Sequence, residues 1–365
     1  MTREIACSKI DEALTAFFGD IPADCAPYGN GHINDTFLVV HNGKRYILQR
    51  MNHTVFPNPH QVMQNICGVT EHIRGKARMS GGDVERASLT VIKTCDGKDY
   101  FCDSIGSFWR LYDFVEGTIT REVVENKNDF YTCAKAFGEF QQQLADYPAQ
   151  SLFEAIVNFH NTPVRFENLM RAVEKDVCGR AASVATEIQF AKDREQFCKT
   201  LENANKDGRL PLRVTHNDTK LNNILFDEKT GMPVCVIDLD TVMPGYSVTD
   251  FGDSIRFGAN TAVEDETDLS KVTLDLELFE AYATGFLEGC GGKLTQTEIE
   301  LLPVGAMMMT LECGMRFLTD YLEGDTYFRT AYDKHNLVRC RNQFKLLTEL
   351  EKVDGQVKDI IQKYL

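Results

Sequence analysis

Apolar and polar positions alternate in short runs over the first third of the chain and take up helical spacing over most of the rest. Ile10, Leu14, Phe17 and Phe18 recur at helical intervals and stop at Gly19, which predicts a leading helix over residues 7–18. β-rich runs at 37–40 and 45–50 are joined through Asn42 and Gly43, the strongest short hairpin signal a sequence offers. Residues 58–77 read as one helix, stopped by Ser80, Gly81 and Gly82. Runs at 89–93 and 99–102 flank a turn at Cys95, Asp96 and Gly97 and predict a second hairpin. Residues 108–115 add a further run, for about five antiparallel strands with one inserted helix. After Gly117 the pattern predicts helices over 130–144, 163–177, 182–204, about 295–322 and 336 to the end. Thr295 and Glu298 form a capping box at the start of the fourth. The expected class is α+β. Residues 1–113 form a small antiparallel-sheet part with a helix, 114–365 a larger mainly helical part, and the hinge lies near 110–117.

One β-rich interruption stands among those helices. The run at Val214 leads into His216 and Asp218, and four residues separate Asp218 from Asn223. A second apolar run, 234–237, ends on Asp238, and residues 227–231 between the two read as a hairpin turn that would bring Asn223 and Asp238 close. An Asp that takes an acceptor hydroxyl's proton, with an Asn and a second Asp on a magnesium ion bridging nucleotide phosphates, is how a phosphoryl-transfer site is laid out. Asp218 is therefore the candidate base, and Asn223 and Asp238 the candidate metal ligands. His216 reads as a structural brace for the loop. Asp250, Phe251 and Gly252 spell the magnesium motif of protein kinases, but they lie beyond the hairpin before helix-like sequence. Asp250 and Asp253 are accordingly expected to brace or cap. Gly29 and Gly31 suit a turn whose backbone N–H groups cover phosphate. Glu312, Arg316 and Asp320 fall on one helical stripe, as an ion-pair ladder or as a polar patch for the acceptor with Tyr327 as a wall.

Composition narrows the partners. The net charge of -15 disfavours nucleic acid and anionic membranes and suits a neutral or cationic small molecule. The 12 cysteines are scattered singly, never as Cys-x-x-Cys, and no secretory leader is evident, so reduced thiols and a cytoplasmic location are expected. No apolar run approaches the roughly 20 residues of a membrane span.

The stretches 27–34, 45–49, 212–225, 237–240, 250–258, 312–317 and 320–325 together resemble the aminoglycoside phosphotransferase/choline kinase superfamily over essentially the whole chain. Within it they are similar to the N-acetylhexosamine 1-kinases. The resemblance implies a protein-kinase-like two-lobed fold that uses ATP and Mg2+, with the nucleotide near residues 109–116. It implies nucleotide contacts from Gly29, Gly31, Gln49, Tyr112 and Phe114, and sugar contacts from His32, Asn34, Asp218, Arg316 and Tyr327. It also implies a sugar's anomeric hydroxyl as acceptor. The third strand of the superfamily carries a Lys for the phosphates, whereas Gln49 and Arg50 stand here, and strand alternation points Arg50 to the face opposite Gln49. A kinase for another small alcohol (choline, homoserine, an aminoglycoside, a different sugar) and an inactive nucleotide-binding regulator stay open as alternatives.

Overall fold

The computed structural model describes residues 3–22, 24–29, 33–121, 124 and 126–365, with side chains from residue 9 onward. Gly31 and His32 lie outside the described residues. The chain divides into two compact units, Met1–Ile119 with Gln150–Val157 and Leu225–Met243, and Thr120–Ala149 with Asn158–Ile224 and Pro244–Leu365. The class is α+β, a small antiparallel sheet and a larger helical part, and no described helix is long and apolar enough to cross a membrane.

In the first unit helix α1 (Arg3–Phe18) precedes strands β1 (Asp24–Pro27), β2 (Asp35–His41) and β3 (Lys44–Met51). Helix α2 (Pro59–Ser80) follows, then β4 (Val91–Ile92), β5 (Phe101–Cys102) and β6 (Phe108–Asp113). Among the described residues these six strands run in the order β1-β2-β3-β6-β4, with β5 also on β6. Asn42 and Gly43 take φ of 51° and 75°, the double positive φ that a two-residue I′ turn demands, and they pair His41 with Lys44. β1 was not foreseen. It is an edge strand ending on Pro27, where the missing N–H costs no ladder bond.

The second expected hairpin does not form. β4 pairs with Leu111 and Tyr112, β5 with Phe108 and Trp109, and β3 fills the other edge of β6. β4 and β5 therefore lie end to end along one edge, with residues 93–100 as an excursion. Its turn is closed locally, because Thr94 accepts the N–H of Gly97 (2.8 Å). The pleat then sorts the faces. Leu48, Leu111, Val39 and Trp109 pack under Ala13, Leu14 and Phe17 of α1 to form a buried core. Thr36, Gln49 and Arg110 face the opposite way on three adjacent strands.

In the second unit α3 (Lys127–Gln143) and α4 (Thr162–Lys175) start on the side-chain caps of Asn126 and Asn161. The helix expected over 182–204 is instead a 3-10 turn, α5 (Ala185–Lys192), α6 (Glu195–Cys198) and α7 (Thr200–Lys206). The chain reorients at Arg194 (φ -110°), whose guanidinium reaches Glu351 (2.8 Å) and the Phe190 carbonyl (3.0 Å). Next come α8 (Ser247–Gly258) and α9 (Leu276–Cys290). The capping box at Thr295 forms in full, but its helix, α10 (Gln296–Glu300), ends at once and α11 (Leu302–Glu323) restarts. Pro303 has no N–H to continue the ladder, so it fits only the first turn of a new helix. The last expected helix breaks likewise, at Val353, into α12 (His335–Lys352) and α13 (Asp354–Gln362).

Helices α3 and α9 meet backbone to backbone. A Cβ on Gly138 would stand 2.3 Å from the Phe286 carbonyl oxygen, and one on Gly289 2.3 Å from that of Lys135. Gly138→Ala should therefore lower the unfolding free energy by about 1–3 kcal/mol through overpacking. Urea denaturation reads this directly, and an unchanged midpoint would contradict so close an approach.

Candidate active site

The loop that carries Asp218 leaves the strand Arg213–Thr215, which pairs with Met243–Gly245. Gly245 is required there, since a Cβ would sit 2.3 Å from Thr215 Oγ1. The next two residues donate their backbone N–H groups to one side chain: His216 N to Asp250 Oδ2 (2.8 Å) and Asn217 N to Asp250 Oδ1 (2.7 Å). Gln141 donates to the same carboxylate (2.9 Å), and Thr219 Oγ1 donates to the Asp250 carbonyl (2.7 Å). Burial pushes the Asp250 carboxyl above its usual range, and these bonds oppose the shift without cancelling it. Asp250 thus braces the loop, as its place beyond the hairpin suggested. His216 is buried edge-on to Phe137 and Phe140, and its Nδ1 accepts the Asp218 N–H (3.3 Å). Asn217 is held left-handed at φ 64°.

Asp218 emerges from this frame between two donors. Lys220 Nζ lies 2.6 Å from Oδ1, and Asn223 Nδ2 donates to Oδ2 (3.1 Å) and to the Asp218 carbonyl (2.8 Å). Burial works against the Lys220 ammonium, but attraction to Asp218 outweighs it and the group titrates above its usual range. Asp218 keeps 28% of its side chain exposed, so an oriented carboxylate stays accessible to a hydroxyl proton. Asn223 is buried, and its amide oxygen receives no donor among the described residues.

Asp238 belongs to the first unit. It follows the hairpin of Ile224–Asp227 and Pro233–Val236, takes a left-handed conformation (φ 58°, ψ 56°) and is exposed. The described residues contain no group of three or more His, Cys, Asp or Glu that could hold a metal. Magnesium held by one or two protein oxygens and by nucleotide phosphates needs no such group, and the amide and carboxylate oxygens at 223 and 238 have the right hardness.

The remaining nucleotide candidates also lie in the first unit. Gly29 is left-handed (φ 74°) in the loop after β1, and Phe114 stacks under Arg45, whose Cζ is 4.0 Å from the ring centroid. Tyr112 is buried beside Arg110, and burial pushes its hydroxyl well up. Gln49 donates to Thr36 Oγ1 (3.0 Å) and accepts from Arg110 Nε (3.0 Å) and Nη2 (2.8 Å). Arg110 in turn forms a buried two-pronged pair with Asp240, and Asn34 donates to the same carboxylate (2.6 Å). Sequence reading missed Arg110 and Asp240. The one available signal was an arginine between Trp109 and Leu111 in a strand that is otherwise apolar. Arg50 faces away and pairs with Asp35 (2.6 Å).

In the second unit Arg316 and Tyr327 line one cavity of about 310 Å3. The stripe on α11 is not an ion-pair ladder. Glu312 is taken by His160 Nδ1 (2.8 Å) and Thr162 Oγ1 (2.7 Å). Asp320 accepts the backbone N–H groups of Thr326, Tyr327 and Phe328 (2.9, 2.8 and 2.9 Å). Arg316 keeps its charge for the cavity, 5.9 Å from the Tyr327 ring centroid.

The model of the phosphotransferase enzyme family matches residues 24–285. The chain belongs to that family. Solved structures agree in fold. A microcompartment-associated aminopropanol kinase is 15% identical with a TM-score of 0.59, the match covering 97% of this chain and 98% of that one. An aminoglycoside phosphotransferase from Alicyclobacillus acidocaldarius is 13% identical with a TM-score of 0.60, covering 95% and 96%. Choline kinase from Cryptosporidium parvum is 13% identical with a TM-score of 0.53, covering 97% of each chain. At these identities the likeness is one of fold.

Within this phosphotransferase, Asp250→Ala should strand two backbone N–H groups and an amide in a dry site and cost about 3–5 kcal/mol. Calorimetry should show a lowered melting temperature; a variant as stable as wild type would remove Asp250 from the role of brace.

Proposed function

We propose that this phosphotransferase is a magnesium-dependent kinase that transfers the γ-phosphoryl group of ATP to the anomeric hydroxyl of an N-acetylhexosamine, giving the sugar 1-phosphate. The observation that carries the reading is Asp218, an accessible carboxylate fixed by Lys220 and Asn223 on a loop braced from beneath. Asp218 orients the hydroxyl and takes its proton. Asn223 and Asp238 give oxygens to magnesium, which neutralises charge on the phosphates. Residues 1–113 serve as the nucleotide-binding lobe, through Gly29, Gly31, Gln49, Tyr112 and Phe114. Residues 114–365 serve as the catalytic and substrate lobe, with His32 and Asn34 of the first lobe joining Arg316 and Tyr327 on the sugar. A cytoplasmic location without nucleic-acid partners belongs to the same reading.

A kinase for an amino alcohol, the kind of substrate named for two of the similar structures, is the rival. The positive charge that Arg316 and Arg165 bring to the acceptor cavity counts against a cationic acceptor.

The test is incubation with ATP, Mg2+ and a panel of N-acetylglucosamine, N-acetylgalactosamine, choline, homoserine and an aminoglycoside, followed by phosphorus NMR. A doublet from an anomeric phosphate on the hexosamines is expected, and phosphorylation of choline alone would overturn the proposal. Asp218→Ala should lower kcat by roughly 10²–10⁴-fold while ATP still binds. Retained turnover would take the role of base away from Asp218.

A further inference from the structure

The cavity beside Arg316 holds more positive charge than a neutral sugar uses. From α4 it is lined by Arg165, Arg171 and Lys175, and from α11 by Arg316. The α4 residues span positions 165–175 of that helix and all line the same space, so the groove against α11 is charged along its length. In a chain with 54 acidic and 39 basic residues, none of these four makes an ion pair with a carboxylate among the described residues.

Their donors are also largely uncommitted. Arg165 gives Nε and Nη2 to the Phe159 carbonyl (3.1 and 2.8 Å), and Arg171 gives one Nη to Asn168. Lys175 and Arg316 donate to no described residue. Arg316 is instead fixed by rings, its Cζ lying 5.2 Å from the Phe159 centroid and 5.5 Å from that of Phe328, which leaves its N–H fork open. Two carboxylates also line the space. Asp320 is spent on three backbone N–H groups and Asn336, and Glu323 lies exposed. Burial, and then the neighbouring Arg316, hold Arg165 below its usual range, so the pair of guanidiniums is an unfavourable arrangement as it stands. An anion between them would relieve it.

We propose that this cavity binds an anionic oxygen group carried by the acceptor, a carboxylate or a phosphate, so that the preferred substrate is an acidic or phosphorylated N-acetylhexosamine and not the neutral sugar. The proposal rests on the reading of this cavity as the acceptor site. The chemical step does not change: the anomeric oxygen gains the phosphoryl group, its proton passes to Asp218, and ADP leaves with the electrons of the broken P–O bond.

Two readouts test it on the intact chain. The first compares kcat/KM for N-acetylglucosamine with that for its 6-carboxylate and 6-phosphate analogues. The second measures direct binding of the same three compounds by calorimetry, at low and high salt. At least one anionic analogue should be favoured by about tenfold or more, as charge-assisted bonds to arginine allow, and the advantage should shrink with salt. Which analogue wins tells a carboxylate acceptor from a phosphate one. The double substitution Arg171→Glu and Lys175→Glu, at two exposed positions, should cut or reverse that preference. Equal or better use of the neutral sugar, with no binding advantage for either anion, overturns the proposal. If no sugar is turned over but an anionic analogue binds and the double variant loses it, the anion site stands and the kinase reading falls.

Discussion

A single buried carboxylate, that of Asp250, sets the geometry of the loop that carries Asp218. Backbone N–H groups that turn inward at His216 and Asn217 have no ladder to join, and left unpaired in a dry site they would cost several kcal/mol. Asp250 accepts both, from the first turn of α8, where the helix dipole favours a negative charge. The left-handed Asn217 persists because these bonds over-determine it. His160 adds a second tie: its Nδ1 meets Glu312 of α11 and its Nε2 the Asn217 carbonyl (3.3 Å). Helices α8 and α11 are themselves in backbone contact, because a Cβ on Gly252 would lie 2.3 Å from the Gly305 carbonyl oxygen. The Asp218 loop and the helix that carries Arg316 are thus fastened to one rigid pair. Asp218 and the cavity beside Arg316 keep their spacing within that unit for this reason.

In the first unit the equivalent constraint is the pair Arg110–Asp240. Burial opposes the guanidinium charge, and Asp240 more than compensates, so the group titrates above its usual range. Such a pair adds little net stability over apolar residues of the same size, yet it strongly penalises loss of either partner. Its worth lies in register, and it accounts for the absence of the strand lysine. Gln49 stands directly across from Arg110 and bonds to it on one side and to Thr36 on the other. A lysine at 49 would place a second cation against Arg110 with Asp240 already committed. A neutral residue that accepts and donates at once is what the row can hold.

Local chemistry was legible; long-range pairing was not. The I′ turn at Asn42 and Gly43 and the capping box at Thr295 each depend on a few adjacent residues and read directly from the chain. The pairing of Asp218 with Asn223, and the bracing role of Asp250, followed from order along the chain relative to the hairpin. β1 was hidden because a four-residue edge strand ending on Pro27 carries little pattern of its own, and the splitting of 182–204 falls at Arg194, whose partner Glu351 lies 157 positions away. Arg110 and Asp240 are 130 positions apart, and no period links them. The stripe on α11 shows the limit most clearly. Spacing placed Glu312, Arg316 and Asp320 on one face, but their partners come from α4's approach and from the loop after α11, so the ladder dissolves into three separate tasks.

That dissolution bears on how charge should be read. A chain with net charge -15 suggests a cationic or neutral substrate, since the mean field repels anions. Mean fields are screened within about 8–10 Å at ordinary salt, however, and a site is governed by the groups that line it. Here Glu312 is engaged by His160 and Thr162, and Asp320 by backbone N–H groups, whereas the cations of α4 and α11 that line the cavity make no ion pair with a carboxylate among the described residues. Giving the two carboxylates of the stripe other partners leaves the guanidinium of Arg316 as the charge that a nominally acidic helix face presents to the cavity. The fold, through the Asp320 loop and the His160 bridge, therefore sets the sign of the cavity beside Arg316 against the sign of the whole protein.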